Sequence, residues 1–237
     1  MERLVLIAVA GLGVSAVCIG VGSAIGGGFN GFGLESPDGR PRCSRIPTAA
    51  AASRTLAWDA GDSVRLVVFS DARYAPGADA MLHASGDPQV LAHLRVRNGT
   101  IELDCRGWRD RDQIKLTLPG REFRKFAIAG RSDLVLEKMN QASVKIDIAG
   151  TGTVRAEGKI DDVAIRIAGV GHADFGKVTS LTAKAELAGV GSADIAPTDT
   201  ATIKIAGPST VNLHSNPRHL DTEIAGPGHL NKLADGD

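Results

Sequence analysis

Along residues 126–230, apolar and polar residues alternate in short runs, and the runs themselves recur. Each closes on Ile-Ala-Gly, once Leu-Ala-Gly, at 128–130, 148–150, 167–169, 187–189, 205–207 and 224–226. The glycines step by 20, 19, 20, 18 and 19 residues. Alternation of period two belongs to strands. A repeat this short predicts a solenoid in which each copy is one rung, unable to bury its own apolar face without a neighbour. Parallel crossovers coil right-handedly. The expected fold is therefore all-β: a single-chain, right-handed parallel β-helix, with a β-rich N-terminal cap and an N-terminal transmembrane or signal helix.

Stacking rungs of constant length turns sequence positions into columns. Two residues before each glycine stand Ile128, Ile148, Ile167, Leu187, Ile205 and Ile224, and four before stand Phe126, Ile146, Ile165, Ala185, Ile203 and Thr222; both columns are expected to face inward. Between them run Ala127, Asp147, Arg166, Glu186, Lys204 and Glu223, whose signs alternate from Asp147 onward, as a cross-rung ion-pair ladder would. After the glycine the chain turns, and inward positions resume as Leu134 and Leu136, Val154 and Ala156, Ala173 and Phe175, Ala193 and Ile195, Val211 and Leu213.

The rest of the chain divides by composition. Residues 4–25 carry no charge and would span about 33 Å as a helix, matching a bilayer core. They read either as an uncleaved membrane anchor or as a signal peptide cut near Gly22, Ser23 and Ala24. Arg40, Arg42 and Arg45 lie on the far side and leave orientation open by the positive-inside rule. Residues 26–53 form a flexible Gly- and Pro-rich tether. Residues 54–120 form a β-rich capping region over the open end of the solenoid, in which Asn98-Gly99 signals a two-residue hairpin turn and Asp87-Pro88 a capped helical turn. Residues 121–233 are the solenoid, and 234–237 a polar tail.

With 27 basic and 27 acidic residues there is no net charge, and Phe175 is the only aromatic residue after Phe126. Basic stripes and base-stacking platforms are both lacking, which argues against nucleic acid as a partner. Outside the apolar segment stand two cysteines, Cys43 and Cys105. They are read as a disulfide closing a long loop, the alternative being two free thiols.

The Ile-Ala-Gly-x-Gly rungs at 148–152, 167–171 and 187–191, with Leu56-Ala57-Trp58-Asp59 and the segment 96–105, resemble the head GIN domain family, known as putative auto-transporter adhesins. The resemblance spans about residues 54–230. It implies a parallel β-helix exported to the bacterial cell envelope, periplasmic or on the surface, and no established activity.

Candidate chemistry is sparse. Five places after each glycine run Val135, Arg155, Asp174, Asp194, Asn212 and Asn231. Arg155, Asp174, Asp194, Asn212 and Asn231 form a polar surface column in which Arg155 can pair with Asp174 and Asn212 can donate to Asp194. Asp174 and Asp194, one strand spacing apart, have the separation of a retaining glycosidase pair, which keeps a polysaccharide-active enzyme as an alternative. Two places earlier stand Asp133, Thr153, His172, Ser192, Thr210 and His229. His172 and His229 are too far apart to share a metal, and His214 and His219 are expected to be solvated in a loop without an acidic partner. No catalytic, metal or cofactor site is predicted. The expected role is a non-catalytic envelope solenoid presenting a surface to a glycan or protein ligand, anchored through residues 4–25 if these are uncleaved; self-association through the solenoid ends into a scaffold is the other structural possibility.

Overall fold

The computed structural model describes residues 51–58, 61–77, 79–107 and 113–233. The apolar segment 4–25, nearly all of the tether, Cys43, Trp108 and the 234–237 tail lie outside them. Among the described residues no helix is long and apolar enough to cross a membrane.

The solenoid is built from β8 (Lys125–Ile128), β9 (Arg131–Ile148), β10 (Thr151–Ile167), β11 (Val170–Leu187), β12 (Val190–Ile195), β13 (Pro197–Ile205), β14 (Ser209–Leu213), β15 (His219–Ile224) and β16 (His229–Lys232). All of their pairings are parallel: Thr151 meets Arg131 on one side and Val170 on the other, Val170 meets Val190, Gly191 meets Ser209, and Thr210 meets His229. The registered offsets equal the spacings of the glycines, so the sequence period is the length of one turn. The fold expected from the repeat is thus the one found.

Both expected inward columns line the tube. Ile128, Ile148, Ile167, Leu187 and Ile205 are buried, as are Phe126, Ile146, Ile165, Ala185 and Ile203 and the pairs from Leu134 and Leu136 to Val211 and Leu213. The structure adds two further linings: Val144, Val163, Ala183 and Ala201, which are register partners at the repeat spacing, and Met139, Ile160 and Val178, which lack a clean period because they follow the point where β9 and β10 slip register by one residue. Two expected inward positions of the last rung fail: Thr222 is exposed and Ile224 is 44% exposed. Among the described residues strand β15 pairs with β13 alone, so no described strand stacks on its other side and the column ends on an edge.

The charged column is only partly a ladder. Lys204 and Glu223 do bridge adjacent rungs at 2.7 Å. Elsewhere flanking lysines intercept the carboxylates: Asp147 takes Lys125 at 3.1 Å and Lys145 at 3.7 Å, and Glu186 takes Lys184 at 2.7 Å. Lys145 and Lys184 are intrastrand partners two residues away, which need less ordering than a long arginine reaching across rungs, whereas Lys125 reaches Asp147 diagonally from the adjacent rung.

The rung register continues back into the N-terminal half. There β1 (Ala52–Leu56), β2 (Ser63–Leu66), β3 (Ser70–Tyr74), β4 (Leu82–Gly86), α1 (Pro88–His93), β5 (Leu94–Arg97), β6 (Thr100–Leu103) and β7 (Ile114–Thr117) follow in order. Strands β2 and β3 pair in parallel with β8 and β9 on one side and with β6 and β7 on the other. The rung nearest the repeats is thus the earlier one in the chain. Antiparallel pairing then takes over, β7 with β4 and β4 with β1 on one face, β6 with β5 on the other. The β5–β6 turn has Asn98 and Gly99 at φ 49° and 71°, the hairpin geometry their identities predict. Asp87 caps α1, accepting from the Gln89 amide at 2.7 Å. Phe126, Tyr74, Phe123 and Trp58 pack at 5.2–5.9 Å between centroids, Phe123 edge to face with Trp58 and Phe126, and Tyr74 tilted against both phenylalanines, filling this end of the tube.

Ser132 stands where four other rungs carry a second turn glycine and one carries Ser209. It is buried, and its hydroxyl donates to the Val68 carbonyl at 2.8 Å while lying 2.9 Å from the equally buried Ser70 Oγ. This bond ties the first repeat rung to β3. Ser132→Ala is expected to leave Ser70 short of a partner and to cost about 1–3 kcal/mol, read as a lowered urea midpoint with unchanged slope.

Candidate functional site

The outward face of β10, β11, β12, β14 and β16 carries two adjacent polar columns. The register aligns Thr153, His172, Ser192, Thr210 and His229 in one, and Arg155, Asp174, Asp194, Asn212 and Asn231 in the other. Alternation puts both on the same side of the sheet, with Ala173, Ala193 and Val211 between them facing the core.

Asp194 is the centre of this wall. Its Oδ1 accepts from Asn212 Nδ2 and from His214 Nε2, both at 2.9 Å, and its Oδ2 faces His172 Nε2 at 3.7 Å. Its side chain is only 15% exposed. Asn231 Nδ2 donates in turn to Asn212 Oδ1 at 3.0 Å, so hydrogen bonding runs across three rungs. His172 Nδ1 lies 2.7 Å from Ser192 Oγ. The expected Asn212–Asp194 bond is present. Arg155 and Asp174 are register neighbours, but Asp174 Oδ1 accepts from the Gly176 amide at 3.2 Å instead, and no Arg155–Asp174 ion pair forms among the described residues.

The solvated, partnerless state expected for His214 is overturned by its bond to Asp194. His214 lies just beyond β14, and its ring reaches back across the stack toward Gly176, where an added Cβ would meet Cδ2 at 3.5 Å. Strand alternation alone could not reveal this, because the contact is diagonal and joins non-equivalent positions of adjacent rungs. His219 is exposed at the start of β15.

Ser192, His172 and Asp194 are the residue types of an acyl-transfer triad, but the geometry lacks what that chemistry needs. Ser192 sits within the parallel ladder between β11 and β14, where backbone N–H groups bond neighbouring rungs rather than point at a developing oxyanion. The wall is better suited to recognition, because it presents fixed, partly buried polar groups on a rigid sheet.

A second cluster lies in the N-terminal half, where ligand atoms of His93, Asp104 and Cys105 fall within 4.8 Å of one another. Asp104 is held by His93 Nδ1 and Arg95 Nη2, each at 2.7 Å, and its carboxyl lies below the usual carboxylate range because of the His93 hydrogen bond first and the Arg95 charge after it. Cys105 is buried and disulfide-bonded, so its sulfur is no thiolate, and a guanidinium occupies the carboxylate a cation would need. This cluster is a structural tie. Cys43, the cysteine expected to pair with Cys105, falls outside the described residues.

No curated protein matches the chain. Among solved structures it is similar to a putative adhesin from Bacteroides fragilis, at 17% identity and a TM-score of 0.62, covering 79% of this chain and 99% of that one. It is also similar to a putative lipid binding protein from Parabacteroides distasonis, at 14% identity and a TM-score of 0.45, covering 78% and 98%. The first likeness establishes a shared fold. The sequence matches the family described as "Putative auto-transporter adhesin, head GIN domain" over residues 77–217, more than half of its 237 residues. With its Ile-Ala-Gly rungs stacked in register, the chain belongs to the head GIN domain family.

Proposed function

We propose that this protein is a non-catalytic, adhesin-like module of the bacterial cell envelope, whose polar wall along β10, β11, β12, β14 and β16 binds an envelope glycan or protein. The observation carrying this reading is the Asp194 network. A carboxylate 15% exposed, with Asn212 and His214 anchored on one oxygen, holds the planar groups of Asn212, Asn231 and His214 in fixed orientations before any ligand arrives. Such pre-organisation reduces the ordering cost of binding. The family's description supports the adhesin-like role and the envelope location.

The use of Asp174 and Asp194 as a glycosidase pair is the weaker alternative, since each already has an oxygen committed to a neighbouring donor. Retention of the full chain on cell-wall and surface-polysaccharide fractions tests the binding reading. Asp194→Ala is expected to lower retention roughly tenfold or more by releasing three neighbours, while the fold survives because the side chain lies outside the tube. Equal retention by the variant would remove the wall from consideration. Sugar release by the wild type that disappears in Asp194→Asn would favour the enzyme.

A further inference from the structure

At the corner following each inward isoleucine or leucine the chain presents Ala-Gly and one further residue. Ala149, Ala168, Ala188, Ala206 and Ala225 are exposed there, followed after the glycine by Thr151, Val170, Val190, Pro208 and Pro227, all exposed. No charge occurs on this corner over five successive rungs, in a chain that is 23% charged. Val170 and Val190 are register neighbours near its middle and are 54% and 49% exposed. Beside the corner runs the column Asp147, Arg166, Glu186 and Lys204, aligned rung to rung.

We propose that this corner is the contact between two copies of the chain, packed antiparallel about a two-fold axis that passes between the Val170 and Val190 levels. That axis sets Val170 of one copy against Val190 of the other at the centre of the contact. It also reverses the charged column against itself, opposing Arg166 to Glu186 and Asp147 to Lys204. A column of four alternating charges complements its own reversal, which is what an isologous interface requires. A parallel pair would instead set this column against the His172 column, where no such complementarity exists. Arg166 strengthens the case. Asp147, Glu186 and Lys204 have ion-pair partners within the chain, whereas Arg166 has none among the described residues and is exposed. Its charge acts on Glu186 of the same chain without closing an ion pair, which leaves the exposed guanidinium able to pair with Glu186 of a second copy. Five rungs span about 19 Å, so the contact is small and its dimer weak and concentration-dependent.

Sedimentation velocity on the full chain in density-matched detergent, from micromolar to millimolar, tests this. The wild type is expected to show a reversible monomer–dimer equilibrium, and Val170→Glu and Val190→Lys to remain monomeric with thermal midpoints close to wild type. Arg166→Glu should weaken the dimer roughly tenfold, and adding Glu186→Arg should restore it. A wild type that stays monomeric throughout overturns the proposal; if it floats with lipid vesicles and Val170→Glu does not, the corner meets a membrane instead. A dimer insensitive to Val170→Glu assigns association to another surface, such as the open β15 and β16 edge. A double charge variant no stronger than Arg166→Glu rejects the antiparallel arrangement.

Discussion

Ile167→Asp is expected to unfold the solenoid. Ile167 is fully buried and sits between Ile148 and Leu187 in the stack, so a carboxylate there has apolar neighbours above and below. Burying an unpaired carboxylate costs several kcal/mol even after it takes up a proton, and the lost aliphatic burial adds about 2–3 kcal/mol. Together these reach the roughly 5–15 kcal/mol that a domain has in total. Far-UV circular dichroism should show the strand signal lost at room temperature. The neighbouring Arg166→Ala removes an exposed side chain without an intramolecular ion pair and should cost less than about 1 kcal/mol. Comparable effects at residues 166 and 167 would mean that the two faces have been assigned the wrong way round.

Gly169→Ala should be nearly as damaging, for a different reason. A Cβ at residue 169 would stand 2.0 Å from the Gly150 carbonyl oxygen and 2.8 Å from that of Ala149. Both obstacles are backbone, so relief requires moving one rung off the next, against the Val170 N–H bond to Gly150 O at 3.0 Å. The same crowding recurs at Gly150 and Gly189, where the nearest carbonyl oxygen lies at 2.1 and 2.0 Å. A loss of about 3 kcal/mol or more is expected, at the upper end of overpacking costs. Gly61→Ala, where the new Cβ meets nothing within 4 Å, supplies the control and should change stability by less than about 1 kcal/mol. Urea midpoints for the two variants measure the difference. If they coincide, rung stacking tolerates a side chain at the corner, and the recurrence of glycine in the first five repeats has no steric cause.

This second prediction also shows how a repeat can be visible before its physical reason is. The glycine of each triplet marks a corner in the sequence, where permissive backbone torsions are the ordinary explanation. At Gly150, Gly169 and Gly189 the decisive restriction is instead the carbonyl of the preceding rung, some 20 residues away in the chain. The same limit applies to the wall. The Asn212–Asp194 contact follows from two equivalent positions in adjacent rungs. The His214–Asp194 contact does not, because it joins non-equivalent positions of adjacent rungs.

Period and alternation were enough to determine the parallel stack, its turn length, its inward columns and the polar wall, because in a solenoid long-range neighbours are a fixed number of residues apart. Tertiary structure alone decided whatever breaks that arithmetic. The β2 and β3 rung lies between the later β6 and β7 rung and the first repeat, with Ser70 meeting Ser132 across 62 residues. Ile224 keeps the core identity of its column but lacks, among the described residues, a second neighbour to bury it, and Asp147 and Glu186 form their ion pairs with lysines on adjacent columns rather than with Arg166. In each case the outcome turns on which groups compete for one place in space, and a periodic pattern records equivalence between positions, not the result of that competition.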